Sequence, residues 1–338
     1  MKVPDPRARI LIVRTSALGD VVHALPVLAA LRRHLPEARL GWVVDEAFAP
    51  LLEGHALLDE VLPVPLRRWR RPGAHRAREL ARFLAVLRGF RAGIALDLMG
   101  SHKGALLARL SGAPRRIGAR RSDRREPSSA LWINLPRPVP AGHAVDRGLA
   151  LLEALGLPRE AADFVPAALA CGRDRTVSGR PVFLHPGAAW ANKRYPPALW
   201  ARVAAPLAER LGEPVLVGAA PGEEALADAI VAAAPGAARR HDAPDLAALV
   251  GAVRGARLVL AGDTGAAHLA RALAVPVLAL HGPTDPARHG PYGEPATALF
   301  RRLPCSFCHR RMDEPKPCLL GLDPRAVARR ALELLALD

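Results

Sequence analysis

The chain has 338 residues, half of them hydrophobic, and a formal net charge of +16 at pH 7. That length and apolar content hold two domains with proper cores, which excludes a disordered protein. No window of about 18 residues is free of charge, which excludes a spanning helix, and four cysteines, three of them between 305 and 318, are not a secreted disulfide scaffold.

The opening MKVPDPRARI carries an acidic residue, two prolines and no apolar signal core, so the cytoplasm is the expected address. Ile10 to Val13 is an apolar run between Arg9 and Arg14, the pattern of a strand buried on both faces. The polar turn Thr15 to Asp20 follows. Val21, Val22, Leu25, Leu28 and Leu31 then recur at helical spacing, and Pro26 predicts a late start or a bend. Strand, tight turn and helix open a doubly wound sheet, whose ligands gather at the carboxyl ends of its strands. Asp20 stands at such an end, after Gly19, which lets the backbone turn sharply. A helix cap is the plainer reading of an aspartate there, and it is compatible with a second role.

Leu40 to Val44 and Val61 to Val64 read as strands. LRRWRRPGAHRAREL is a basic loop leading into a helix over Arg76 to Phe90; Ile94 to Leu98 is a buried strand and His102 to Leu110 a helix. Arg115 to Arg125 has few apolar anchors and is expected to be a mobile basic loop. From Glu60 to Glu126 there are 17 Arg and Lys against 5 Asp and Glu, a net +12 of the total +16. That concentration points to a polyanionic partner, whether phosphorylated glycolipid, membrane surface or nucleic acid; the alternative is a solvated face. Ala144 to Leu155 reads as helical, and Gly156 to Arg180 as the linker between domains spanning 1–165 and 180–338.

The second half repeats the pattern. Strands are expected at Pro181 to Leu184, Val215 to Val217, Leu258 to Ala261 and Val277 to Leu280. Helices alternate with them at Pro197 to Leu211, Glu223 to Ala233, Leu246 to Val253 and after Gly265, and a last one runs from Pro324 to Leu337. The fold class is therefore α/β, with two Rossmann-like domains facing each other across a cleft and the closing helix returning to the N-terminal domain.

Neither opening strand is followed by GxGxxG, and neither a Walker A lysine nor GxSxG occurs. Gly262-Asp263-Thr264-Gly265 instead ends a strand and starts a helix. Free amides at Thr264 and Gly265, with the helix dipole, make a phosphate site. His268 lies four residues beyond Thr264 on the same helical face, where a core or capping histidine is the plainer reading. Lys193 is one of only four lysines, with Lys2, Lys103 and Lys316, among 48 basic residues. In a chain that otherwise uses arginine, a lysine in the loop after a strand suggests a need for a compact point charge rather than a planar fork; chance usage is the alternative.

The stretches TSALGDVVHALPVLAALRRHLP, VLPVPLRRWRR, GDTGAAHLARAL and HGPTDPARHGPYG together resemble family 9 glycosyltransferases, the lipopolysaccharide heptosyltransferases of type I in particular. The resemblance runs from Arg9 to Gly293. It implies a GT-B fold and inverting, metal-independent transfer of L-glycero-D-manno-heptose from ADP-heptose to phosphorylated Kdo-lipid A. It also implies no cofactor, no nucleic acid, and a monomer working peripherally at the inner face of the inner membrane.

By position, Asp20 matches the family's general base and Lys193 a lysine that contacts donor phosphate. Asp263 matches the aspartate that holds heptose hydroxyls, and Thr264, Gly265 and His268 the diphosphate-binding turn. Gly187, Ala188 and Ala189 fall in a phosphate-contacting loop where other members place threonines, so only backbone amides serve here. Glu223 or Glu224 is the counterpart of a ribose-binding glutamate. Ser16, Gly19, Arg67, Arg68, Arg70, Arg71, Arg120 and Arg121 are the acceptor-binding candidates.

Two departures stand out. Arg14 replaces a lysine of many relatives, a change expected to be neutral. Cys305, Cys308, His309 and Cys318 are unlike the type I enzymes and could be a structural zinc site, although no second CxxC completes the spacing and reduced thiols are the simpler reading. Rival functions are heptosyltransferases II or III, another family 9 transferase, and a basic nucleic-acid-binding protein. The last is weakened because only Trp69 and Trp132 flank the basic region, leaving little to stack on bases.

Overall fold

The computed structural model describes residues 3–70, 76–165, 179–293 and 297–336. The chain divides into two compact units at residue 170.

The first unit contains β1 (Arg9–Val13), α1 (Leu18–His34), β2 (Arg39–Asp45), α2 (Ala49–Leu52), β3 (Glu60–Val64), α3 (Arg76–Gly89), β4 (Ile94–Asp97), α4 (His102–Leu110), β5 (Arg115–Ala119), β6 (Leu135–Arg137) and α5 (Ala144–Ala150). Its strands form one parallel sheet in the order β3-β2-β1-β4-β5-β6. Ile10 to Val13 are fully buried because β1 sits at the centre with helices on both faces. One face packs Leu11, Val43 and Leu62 against Phe83 and Leu87 of α3 and Leu107 of α4.

The second unit contains β7 (Val182–His185), α6 (Pro197–Leu211), β8 (Val215–Gly218), α7 (Glu224–Ala233), β9 (Ala238–His241), α8 (Leu246–Gly255), β10 (Leu258–Gly262), α9 (Gly265–Ala272), β11 (Val277–His281), α10 (Pro286–His289), β12 (Ala298–Phe300), α11 (Pro317–Leu320) and α12 (Pro324–Leu335). Its parallel sheet runs β12-β11-β10-β7-β8-β9. Counted from its own first strand, that is the same order as in the first unit. Each sheet therefore reverses direction between its first and fourth strands, at β1/β4 and at β7/β10, and such switch points are where doubly wound sheets bind ligands.

Three expectations are corrected. Helix α1 starts at Leu18, inside the stretch read as the turn, and carries Pro26 within it, which overturns the late start. The residues Val21 to Leu31 are buried on every side, and that tertiary burial outweighs the hydrogen bond lost at the proline. Arg115 to Arg125 is no open loop: it holds β5 and a short 3-10 turn, Arg121–Asp123, fastened by the buried side chain of Arg124. The closing helix spends its apolar face on its own unit, where Val327, Ala328 and Ala331 are buried in one core with Trp200, Val203 and Leu207.

Candidate active site

In the second unit, β7 pairs with β10 in the register His185 to Ala261, so the loops that follow the two strands share the switch point. Gly262 makes room there: a Cβ would stand 2.9 Å from the backbone oxygen of Lys193, so a larger residue would lift the loop off the strand end. That loop closes in a 3-10 turn, Ala191–Lys193. The Lys193 ammonium donates to Asp263 Oδ2 at 2.6 Å and lies 4.7 Å from the centre of the Trp190 ring. Thr284 Oγ1 donates to the same oxygen at 2.6 Å, and His268 Nε2 is 3.6 Å from Oδ1.

Burial works to raise the pKa of Asp263. The hydrogen bond from His268 and the neighbouring positive charge of Lys193 outweigh it and hold the carboxyl well below the usual carboxylate range. His281, at the end of β11, is brought down to about 4 by burial and is neutral at pH 7; neither ring nitrogen has a hydrogen-bond partner. Thr264 caps α9 with extended backbone, and its buried hydroxyl has no partner. The first N–H groups of α9 have no carbonyl within the helix to meet. A cation, open amides and an unpartnered hydroxyl around one ionised carboxylate suit a diphosphate carrying a hydroxylated group.

On the other side of β7, Glu223 precedes α7 and its side chain is 16% exposed. Its carboxylate lies against Gly187, where a Cβ would fall 1.8 Å from Oε2, so any larger residue would push the carboxylate aside. Arg194 Nη2 donates to Glu223 Oε1 at 3.0 Å and Arg194 Nε to the Ala188 carbonyl at 2.8 Å. Glu224 instead accepts from its own Gly222 N–H at 2.9 Å and is exposed. Of the two glutamates, Glu223 is the one brought to the Gly187 loop. Ala188 is buried and Ala189 exposed.

In the first unit, Asp20 sits in the opening turn of α1. Ala17 cannot cap with its side chain, and Asp20 Oδ2 accepts the Ala17 N–H at 3.0 Å, so the capping reading holds. Its other oxygen is ion-paired with Arg14, whose guanidinium also donates to the Leu98 carbonyl. The Asp20 side chain keeps 34% of its surface exposed. Gly19 lies beside it in the same turn, and Ser16 Oγ accepts from Lys103 at 3.2 Å.

The fourth strand of this sheet ends on Asp97, whose Oδ2 accepts from Arg124 at 2.5 Å with both side chains fully buried. Burial raises the pKa of Asp97 and Arg124 opposes the rise. Arg120 bonds Asp123 at 2.9 Å while Arg121 is exposed. Arg68 pairs with Glu46 at 3.1 Å, and Arg67 stacks its guanidinium 5.7 Å from the Phe48 ring centre. Arg70 closes a 3-10 turn, Arg68–Arg70, and Arg71 lies outside the described residues.

The sequence reading gives no site role to five residues at these strand ends, Lys103, Arg124, Trp190, Arg194 and Thr284, and takes a sixth, Arg14, only as a neutral exchange. Lys103 carries the same signal as Lys193, scarcity, and Thr284 stands inside HGPTDP. The cysteines do not converge on an ion site. Cys305 and Cys308 are exposed and Cys318 is buried, and among the described residues no group of three or more His, Cys, Asp or Glu side chains could hold a metal.

Two parallel sheets of one strand order make this an α/β protein of two Rossmann-like halves, the architecture of the GT-B glycosyltransferases. Residues 80–319 match glycosyltransferase family 9 (heptosyltransferase), and the chain belongs to that family. It is similar to lipopolysaccharide heptosyltransferase 1 of Pseudomonas aeruginosa, 35% identical over 97% of this chain and 98% of that one. The same enzyme of Escherichia coli K12 is 33% identical over 85% of this chain and 91% of its own. Among solved structures, E. coli heptosyltransferase WaaC with ADP superposes with a TM-score of 0.82 at 27% identity, covering 96% of this chain and 99% of WaaC. E. coli ADP-heptose heptosyltransferase II shares the fold, with a TM-score of 0.75.

Proposed function

We propose that this protein transfers L-glycero-D-manno-heptose from ADP-heptose to the phosphorylated Kdo-lipid A inner core of lipopolysaccharide, inverting the anomeric centre without a metal ion. The observation that carries the reading is the Lys193 ammonium held on Asp263 beside the open start of α9. Together they offer the charge and amides that a departing nucleoside diphosphate needs. The N-terminal domain, residues 1–165, takes the acceptor, and the C-terminal domain, residues 180–338, the nucleotide sugar. Type I is favoured over type II because the type I relatives reach 35% identity and those of type II 27%.

In this mechanism Asp20 takes the proton of the acceptor hydroxyl as its oxygen attacks the anomeric carbon. In an oxocarbenium-like transition state the acceptor hydroxyl becomes acidic late, so a carboxylate suffices to take its proton. Lys193 and the amides of Thr264 and Gly265 stabilise the charge growing on ADP, while Asp263 orients heptose hydroxyls. The arginines at 67, 68, 70, 71, 120 and 121 meet acceptor phosphates at the inner face of the inner membrane, and the enzyme works as a monomer.

The test is incubation with ADP-heptose or UDP sugars and defined Kdo-lipid A. Transfer from ADP-heptose alone, unchanged by EDTA and giving the inverted anomer by NMR, is the expected result. Transfer from a UDP sugar, or indifference to Kdo-lipid A, overturns it.

A further inference from the structure

Lys193 and Arg194 are neighbours in sequence, yet their side chains part. Strand β7 lies between β10 and β8. Lys193 reaches Asp263 on the β10 side, and Arg194 reaches Glu223, in the connection that follows β8. The two cations thus straddle the end of β7, one serving the diphosphate site and the other a second carboxylate. Arg194 holds two acceptors at once, the Ala188 carbonyl and Glu223 Oε1, in the fixed geometry of its planar fork, which a rotatable lysine ammonium does not impose.

The held carboxylate is packed against the Gly187 backbone, so its direction is fixed from two sides. A carboxylate has about four lone-pair sites. The guanidinium contact takes one, and the remainder can accept the two hydroxyls of a cis-diol.

We infer that Arg194 is a positioning residue that sets the enzyme's preference for a ribonucleotide: it aims Glu223 at the ribose diol of the donor. The inference rests on the ADP-sugar reading above. Glu223 is the group that touches ribose, and Arg194 acts through it. The alternative is that Arg194 only braces the loop that carries Lys193. A brace, when lost, weakens every nucleotide alike, whereas an aimed carboxylate, when lost, weakens only those that carry the diol.

The experiment is calorimetric titration of ADP and 2′-deoxy-ADP into the wild type, Arg194→Ala, Arg194→Lys and Glu223→Gln. One lost hydrogen bond to a charged group predicts that the wild type favours ADP by about tenfold or more. In Arg194→Ala and Glu223→Gln the ratio is expected to fall to about one through loss of ADP affinity alone, with Arg194→Lys between them. Equal weakening of both nucleotides, or an unchanged ratio, overturns the inference. Circular dichroism checks the fold, and if Arg194→Ala does not fold, the other two variants decide. A wild type that binds UDP instead of ADP sinks the donor reading alone. The ratio of UDP to 2′-deoxy-UDP across the same variants then decides the role of Arg194.

Discussion

The two sheets share one topology and, at one place in it, one device used in opposite ways. Each fourth strand runs into a buried aspartate gripped by a cation from another loop: Asp97 by Arg124 in the first unit, Asp263 by Lys193 in the second. The first pair is sealed. Both side chains are fully buried, and the guanidinium also bonds Ser129 Oγ at 2.7 Å and the Ala119 carbonyl at 3.2 Å. The second pair leaves 16% of the lysine exposed, and an ammonium on a flexible stem can leave its carboxylate for a ligand. The same position in the fold is thus sealed in one unit and, in the proposed mechanism, left open for chemistry in the other.

That contrast is most severely tested by removing the groups assigned to chemistry. Asp20→Ala is expected to lower transfer by about a thousandfold, the range of general-base catalysis, while ADP affinity stays within about twofold. Lys193→Ala should lower kcat by about a hundredfold, as for loss of one charge-stabilising donor, with a smaller loss of stability than Arg124→Ala because Thr284 and His268 still partner the Asp263 carboxylate. Single-turnover kinetics alongside ADP titration separates the two effects. Turnover equal to wild type in Asp20→Ala ends its assignment as base.

The sealed pair should behave in reverse. Arg124→Ala leaves a buried carboxylate without its partner, which costs about 3–5 kcal/mol. The melting point should then fall by about 10 °C, at roughly 2–4 °C per kcal/mol for a domain of this size. ADP affinity should not move. Replacing Asp97 and Arg124 together by apolar residues should be milder than Arg124→Ala alone. If ADP binding falls along with stability, the division into architecture and chemistry fails.

Proton linkage gives a smaller and graded test. His185 and His281 in the second unit, and His55 in the first, are pushed down to about 4 by burial. Below pH 6.5 the unfolded chain protonates these rings and the folded one does not, so stability rises with pH between 4 and 6.5 and is lost as pH falls through that window. Each histidine contributes a slope of about 1.4 kcal/mol per pH unit there. Asp263 adds nothing above pH 5, because its carboxyl is held well below the usual range in the folded protein and is ionised in both states there. Urea unfolding at pH 7, 6 and 5 measures the slope. His281→Phe should remove about 1.4 kcal/mol per pH unit of it; an unchanged slope means that the ring is already charged in the fold.

What the sequence disclosed follows from where the free energy lies. Apolar runs such as Ile10 to Val13 and Leu258 to Ala261 announce buried strands directly, because central strands of a parallel sheet need apolar side chains on both faces. The short strands Leu135–Arg137, Ala238–His241 and Ala298–Phe300 escape notice because an edge strand of three or four residues can be half polar. The mobile reading of Arg115 to Arg125 failed for a related reason: its anchor is an ion pair, Arg124 to Asp97, formed across 27 residues, and periodicity does not register such a pairing. Asp20, Lys193 and Asp263 were legible because each follows a strand end beside a glycine or stands out by rarity. Arg14 was set aside as a neutral exchange, yet it is ion-paired with Asp20. Arg194 gave no signal, since in a chain with 44 arginines one more is invisible until its two acceptors are seen.

The smallest expected effect concerns the basic loop of the first unit. Arg68 is 60% exposed and already faces two carboxylates, Glu46 at 3.1 Å and Glu79 at 4.0 Å. An exposed pair of this kind contributes about 0–1 kcal/mol to stability, so Arg68→Ala should leave the melting point nearly unchanged. Its pull on an acceptor phosphate is shared with those two glutamates and screened over about 8 Å at physiological salt. The acceptor KM should therefore rise by only about threefold at low salt, and by less at higher salt, with kcat unmoved. Glu46→Gln frees the same guanidinium and should lower the acceptor KM in the same assay. If Glu46→Gln raises it, Arg68 serves the fold of its own turn, and the acceptor phosphates are read by other arginines of the basic region.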